Sequence, residues 1–413
     1  MRTETLAIDF GTSNSAAAVL VDDTVRRIPI EHGAETCPTA VFFPARGGAM
    51  QIGAAATDSL IGREEGRYMR ALKSVLGQPL AHEQRFLGGR RRTIADVIAD
   101  FLVEVRRRAE AATGLRFNRA LSGRPVHFHT GSPERDTQAE ADLTACYHAA
   151  GFEDVTFLAE PEAAAIANFG MGRQDGFGLI VDIGGGTSDF SAFRSAGTEL
   201  TILANYGIRL GGTDFDYALA MAHAMPQLGL GGQLRRQMQG GLLAVPRAPY
   251  AELATWARIP FLYTAETREM VSEMARLAID SRTMSRFVTV LEFELGHELA
   301  FAVERAKIAA NAGGQAGRIE MGFIEPGLHE TVTPEDLDTV LADHRIRMRD
   351  AAIETLTAGG IDRGDVGRVI LVGGSSLMHI VSDEMRALCP SAEILYSEAF
   401  TAVVDGLALA TRR

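Results

Sequence analysis

Lysine is nearly missing from this 413-residue chain. Of 41 basic residues only Lys73 and Lys307 are lysine, leaving 39 arginines. The skew reads as compositional background. It nevertheless marks two positions where a compact ammonium was kept, since the arginine fork does not substitute for a point charge. Cysteine is also scarce. Cys37, Cys146 and Cys389 are odd in number, far apart and without CxxC spacing. That excludes a disulfide framework, argues against a structural zinc site, and predicts a reduced, cytoplasmic setting. An excess of positive charge is absent too. The formal net charge is −12, so no basic surface is left to compensate nucleic-acid phosphates. The runs Arg90-Arg91-Arg92 and Arg106-Arg107-Arg108 read as solvated faces. No apolar run nears the roughly 18 residues of a membrane span. Asp9 interrupts the first apolar stretch, which excludes a signal peptide. Neither GxxxxGK[ST] nor GxGxxG after a strand occurs, so P-loop and dinucleotide fingerprints are excluded.

What is present is ordinary globular composition, 46% hydrophobic and 23% charged. The length supports roughly two to four domains or subdomains. Short apolar runs alternate with helical patterns, predicting an α/β protein. Residues 5–9 and 16–21 read as strands around a polar turn, and residues 368–372 as a buried strand. Residues 94–112 predict an amphipathic helix ended by Gly114, residues 137–150 one stopped by Gly151, and residues 297–311 one closed by Gly313-Gly314. Thr333-Pro334-Glu335-Asp336 is a helix start. The Gly-, Gln- and Pro-rich stretch 226–249 predicts an exposed loop or insertion. His127 and His129 alternate, predicting a shared strand face. With no third ligand evident, a packed strand is favoured over a metal pair. Trp256, the only tryptophan, falls in an apolar run that reads as part of a packed helical subdomain.

Two segments resemble each other. Asp9 closes an apolar strand before Gly11-Thr12-Ser13-Asn14-Ser15. About 170 residues later Asp182 closes another before Gly184-Gly185-Gly186-Thr187-Ser188-Asp189. Glycines with small hydroxyl residues let several backbone N–H groups point at one anion, as in phosphate nests. Aspartates beside such a turn suit magnesium, which takes oxygen ligands and waters. One glycine-rich turn is weak evidence. Two matching turns predict two similar lobes facing a ligand.

The residues Asp9-Phe10-Gly11-Thr12-Ser13-Asn14-Ser15, Glu160-Pro161-Glu162-Ala163-Ala164-Ala165, Asp182 to Asp189 and Val372-Gly373-Gly374-Ser375-Ser376 resemble the motif set of the actin-like ATPase superfamily. Within it the chain is similar to the nucleotide-binding domain of the seventy-kilodalton heat-shock chaperones (DnaK-like). Gly211-Gly212-Thr213-Asp214-Phe215-Asp216, Glu304-Arg305-Ala306-Lys307 and Ala71-Leu72-Lys73-Ser74-Val75-Leu76-Gly77 carry the likeness. The long segment 223–296 points to the YegD-like branch. The motifs run from residue 7 to about residue 410.

The resemblance implies two ribonuclease-H-like lobes with a nucleotide cleft between them and an inserted subdomain in each. Lobe I would be 1–172, with core 1–35 and 118–172 and insertion 36–117. Lobe II would be 173–413, with core 173–222 and 319–413 and a mainly helical insertion 223–318. It implies ATP/ADP and Mg2+ as cofactors. Gly11, Thr12, Ser13 and Asn14 would bind phosphates from one lobe and Gly184, Gly185, Gly186 and Thr187 from the other, with Gly211 and Gly212 nearby. Asp9, Asp182 and Asp189 would hold the metal largely through water. Lys73, Glu160, Asp182 and Thr187 would be catalytic. Glu304, Lys307, Ile308, Gly373, Gly374, Ser375 and Leu377 would surround the nucleoside. Individually, Glu160-Pro161 also reads as a plain helix start and Lys307 as a surface partner of Glu304.

Two departures stand out. The family places arginines where this chain has Ile308 and Leu377, which predicts weaker or altered adenine binding. The chain also ends where the family continues, so no C-terminal peptide-binding domain is expected. The function implied is a slowly hydrolysing, chaperone-like ATPase with unidentified protein clients or co-chaperones, no nucleic acid and no membrane. The rivals are an actin- or MreB-like filament ATPase, a sugar or acetate kinase on the same fold, and a nucleotide-dependent binding module without turnover.

Overall fold

Leu6, Ala7 and Ile8, without a polar side chain among them, make a strand buried on both faces, as the middle of a sheet requires. The computed structural model describes residues 3–31, 33–168, 175–197, 199–236, 240–312, 315–398 and 400–412. Strand Thr3–Phe10 pairs antiparallel with Asn14–Val21, which pairs antiparallel with Thr24–Ile28. On its other side Thr3–Phe10 runs parallel to Arg116–Arg124, which runs parallel to Asp154–Ala159. A second sheet repeats this pattern. Gly176–Ile183, Ser188–Ala196 and Glu199–Ile208 form an antiparallel meander, and Val366–Val372 and Glu393–Tyr396 extend it in parallel. The duplication seen in the two glycine turns is therefore a duplication of whole sheets.

The chain divides into two compact units, residues 1–212 with 345–413, and residues 213–344. Both large sheets belong to the first. Its core joins Ala7, Ala16 and Ala18 to Ile180, Ile370 and the helices Glu160–Ala167 and Ala402–Ala410. Those helices cross very closely, because Gly406 brings bare backbone onto the Ala163 carbonyl. Between the strands of the first sheet lie helix Ile94–Thr113 and the 3-10 turn Leu72–Val75. The helix opens with a Thr93–Asp96 capping box and ends on left-handed Gly114.

The second unit is mainly helical. Ala265–Leu277, Ser281–Glu292 and Gly296–Asn311 are its long helices, and Thr333 caps Pro334–Val340. Trp256 is 2% exposed, edge-on to Phe301 at 5.0 Å between centroids. It belongs to the packed interior of this unit.

Several local expectations change. The helix expected over 137–150 starts at Pro133, because Ser132 caps it and proline at the first turn loses no intrahelical bond. His127 and His129 are not on a strand. Strand Arg116–Arg124 stops at Pro125, which lacks the N–H a ladder needs. Nδ1 of His127 then pairs with Asp136 at 2.9 Å, and Nε2 of His129 lies 2.6 Å from the Leu76 carbonyl. Within 226–249 there is more than loop: Leu228 is buried and Gln233–Arg235 pairs with Leu242–Ala244. Gly313-Gly314, the boundary at 172/173 and residues 237–239 lie outside the described residues. No helix among the described residues is long and apolar enough to cross a membrane.

Candidate functional site

The two glycine turns meet. A Cβ on Gly185 would strike Ser13 Oγ, and one on Gly186 would lie 3.1 Å from Thr12 Oγ1. Each turn is braced from within its own sheet. Gly184 N–H donates to Thr187 O at 3.0 Å, and Ser13 O accepts from Thr39 N–H at 2.9 Å. Gly211 and Gly212 support the second turn from behind. A Cβ on Gly211 would sit 2.5 Å from Gly186 N, and Gly212 N–H donates to Gly184 O at 3.0 Å. Only glycine allows backbone to stack this tightly.

Below the turns is a cleft lined by Asp9, Gly11, Thr12, Ser13, Asn14, Lys73, Glu160, Asp182, Gly184, Gly185, Thr187, Gly373, Gly374 and Ser375. Strand ends deliver the aspartates. Asp9 ends one strand, and Asp182 faces Asp189 across the second hairpin. Glu160 begins helix Glu160–Ala167, where the positive end of the dipole favours an acid, so the plain helix-start reading also holds. Lys73 rides on the turn Leu72–Val75, entered through Ala71 in the left-handed region at φ 59°. A non-glycine residue there costs energy that its surroundings must offset, a feature that clusters at functional sites.

Lys73 Nζ donates to Glu160 Oε1 at 2.6 Å, with the Lys73 side chain 6% exposed. Burial pulls the Lys73 pKa down, but Glu160, Asp9 and Asp189 outweigh it and the net direction is up. The ammonium stays charged. The aspartates behave oppositely. Burial, reinforced by Glu160, pushes Asp9 up to about 7 and Asp189 up to about 8. Asp182 is raised well above the ordinary carboxylate range by the same two causes. Asp189 is partly compensated by Val126 N–H, which donates to its Oδ1 at 2.6 Å.

Four carboxylates around one ammonium make an oxygen-only, under-compensated donor set. That fits a hard divalent cation of the magnesium type. Among the described residues no three His, Cys, Asp or Glu side chains converge to hold a metal directly.

The other expected residues are distributed as follows. Leu377 ends the turn Gly374–Leu377 and is 48% exposed. Asp189 lies behind the lining residues, under Gly207 and Val126. Glu304, Lys307 and Ile308 are on helix Gly296–Asn311 of the second unit. There Lys307 is no surface lysine: it is buried and its Nζ stands 2.7 Å from Asp216 Oδ1. Two lining residues were not expected from the sequence, Phe400 and Val403, while Val372 belongs to a motif already named. Phe400 follows the parallel strand Glu393–Tyr396, and ligand sites gather beyond the carboxyl ends of such strands. Topology was the missing signal, since a lone phenylalanine carries no motif.

Residues 84–229 match the family model described as Hsp70 protein. The chain is 32% identical over 261 residues to the chaperone protein HscA homolog of Pseudomonas putida, covering 58% of this chain and 40% of that protein. It is 30% identical over 296 residues to that of Pseudomonas aeruginosa, covering 67% and 45%. It is 31% identical over 299 residues to that of Azotobacter vinelandii, covering 67% and 46%. The aligned segment thus spans less than half the length of these relatives. With the repeated sheets and the paired glycine turns, these matches make the chain a relative of the Hsp70 family, carrying a DnaK-like nucleotide-binding domain with the actin-like ATPase fold.

Proposed function

We propose that the chain binds ATP in the cleft between its two glycine turns, with magnesium, and hydrolyses it slowly to ADP and phosphate as a chaperone-like protein. The observation that carries this reading is the convergence of the Thr12-Ser13 and Gly185-Gly186 turns beside the Lys73–Glu160 pair. Phosphoryl transfer asks little covalent work of a protein and much positioning and charge compensation. Backbone N–H groups of both turns, with the hydroxyls of Thr12, Ser13 and Thr187, would hold the phosphates. When bound, magnesium supplies charge neutralisation on phosphate oxygens. Asp9, Asp182 and, further back, Asp189 would orient its water shell. Lys73, fixed by Glu160, would put a permanent positive charge at the γ-phosphate and orient the attacking water. Glu160 and Asp182 would accept hydrogen bonds from that water. The similarity to HscA chaperones supports protein clients or co-chaperones as partners.

The test is phosphate release from ATP by the wild type, Lys73→Ala and Asp9→Asn, with and without magnesium. Turnover that needs magnesium and is lost in both variants supports the reading. No wild-type turnover removes hydrolysis and leaves a nucleotide-dependent binding module. Turnover indifferent to Lys73→Ala removes the mechanism. ATP-dependent suppression of aggregation of a chemically denatured reporter protein tests the chaperone part.

A further inference from the structure

One end of the cleft carries no charge. Beyond Asp182 its lining is Val372, Gly373, Gly374, Ser375, Phe400 and Val403, and the Ser375 hydroxyl is the one polar side chain among them. Gly373 holds φ +83°, and a Cβ there would lie 2.7 Å from Asp182 Oδ1. A Cβ on Gly374 would lie 2.8 Å from Phe400 Cε1. Two bare glycines therefore join the acidic floor to an aromatic ring, with only backbone between. That ring is 50% exposed, although burying a phenylalanine is favourable. Two glycines in series leave a flat strip, and a flat strip ending in a ring suits a planar heteroaromatic group attached to an anionic chain. Base–aromatic stacking tolerates any base, because every base has a π-face.

We propose that Phe400 is the platform on which the nucleobase stacks, and that the site is for this reason tolerant of different purines. This rests on the nucleotide reading of the cleft and adds a specificity-determining residue to it. Among the described lining residues at that end no side chain is charged and one, Ser375, carries a hydroxyl, so little matched polar chemistry separates an adenine from a guanine. Discrimination between substrates that differ in hydrogen-bonding groups is strong only where the protein supplies matched polar partners.

The probes are ATP, GTP and inorganic tripolyphosphate, titrated by calorimetry into the full chain as wild type, Phe400→Ala and Phe400→Trp. Phe400→Ala is expected to weaken ATP and GTP by about tenfold or more, while tripolyphosphate binds as in the wild type. Phe400→Trp is expected to keep the affinity for ATP. Its emission, taken as the difference from wild type to subtract Trp256, is expected to fall with ATP and not with tripolyphosphate. Wild-type affinities for ATP and GTP are expected within about fivefold of each other. Wild-type ATP affinity in Phe400→Ala, or equal losses of ATP and tripolyphosphate, overturns the stacking role. An ATP preference above about a hundredfold overturns the tolerance. A wild type that binds none of the three probes overturns the nucleotide reading itself, a result distinct from a binding wild type with an indifferent Phe400→Ala.

Discussion

Lys307 Nζ donates to Asp216 Oδ1 at 2.7 Å, and Trp256 Nε1 donates to Asp216 Oδ2 at 3.1 Å. All three residues are buried in the second unit. The carboxyl is pushed up by burial and pulled down by Lys307. Removing one partner of a buried pair strands the other charge, which costs roughly 3–5 kcal/mol. Asp216→Ala is therefore expected to destabilise by about that much in urea, with a shift in Trp256 fluorescence. The double variant Asp216→Leu with Lys307→Met is expected to recover part of the loss, since no charge is then stranded. Equal stability of Asp216→Ala and wild type would refute the account.

The other lysine makes the parallel pair with Glu160. Here the expected cost is in turnover. Lys73→Ala should lower phosphate release by about 100- to 1,000-fold, the range for losing one preorganised charge-stabilising group. Lys73→Arg should recover little of it, because a planar fork does not fit the place of a compact ammonium 2.6 Å from one carboxylate oxygen. Recovery to near wild-type turnover in Lys73→Arg would contradict this.

Asp9 at about 7 and Asp189 at about 8 set a pH dependence for metal-free protein. Their unfolded values lie near 3.9. Between about pH 4 and 8 the folded state therefore binds more protons than the unfolded state, so stability falls as pH rises through that window. His129 acts the other way, its pKa being lowered mainly by burial. Comparison with variants separates the two. The drop in melting temperature from pH 5 to pH 8 is expected to be smaller in Asp9→Asn and Asp189→Asn than in wild type. Adding magnesium with ATP at pH 8 should raise the wild-type melting temperature. A wild-type drop no larger than that of Asp9→Asn would count against the raised carboxyl.

Gly406 shows where bare backbone is required. An added Cβ would overlap the Ala163 carbonyl where helices Ala402–Ala410 and Glu160–Ala167 cross. Helix Glu160–Ala167 begins at the carboxylate that holds Lys73, so a shift there reaches the cleft. Gly406→Ala is expected to cost about 1–3 kcal/mol or more and to reduce turnover. Gly364→Ala meets nothing within 4 Å and should lie within about 0.5 kcal/mol of wild type. Thermal unfolding of both variants checks the contrast.

Much of the first unit was legible in order of sequence. Short apolar runs such as 5–9 and 178–182 read as strands because glycine-rich turns follow them within a length too short for a helix. Asp9 and Asp182 declare turns because glycines and hydroxyls follow at once. The motif resemblance then assembled distant segments that no local pattern connects. Local punctuation was less legible. Pro125 ends the strand that the alternation of His127 and His129 predicts to continue, and the helix capped by Ser132 starts four residues earlier than periodicity predicts.

The sequence by itself determined the two glycine turns, the acids that end their strands and the scarcity of lysine, since these are properties of residue type and spacing. Only the tertiary structure decided what those residues face. It set Lys73 against Glu160, 87 positions away, and Lys307 against Asp216, 91 positions away. It also brought Phe400 to Gly374 at the apolar end of the cleft. The physical reason is common to all three. A buried ammonium requires an anion, and a ring this close to backbone requires a glycine there. Which anion and which surface are available depends on how sheets and helices pack, and that information lies in no local stretch of chain.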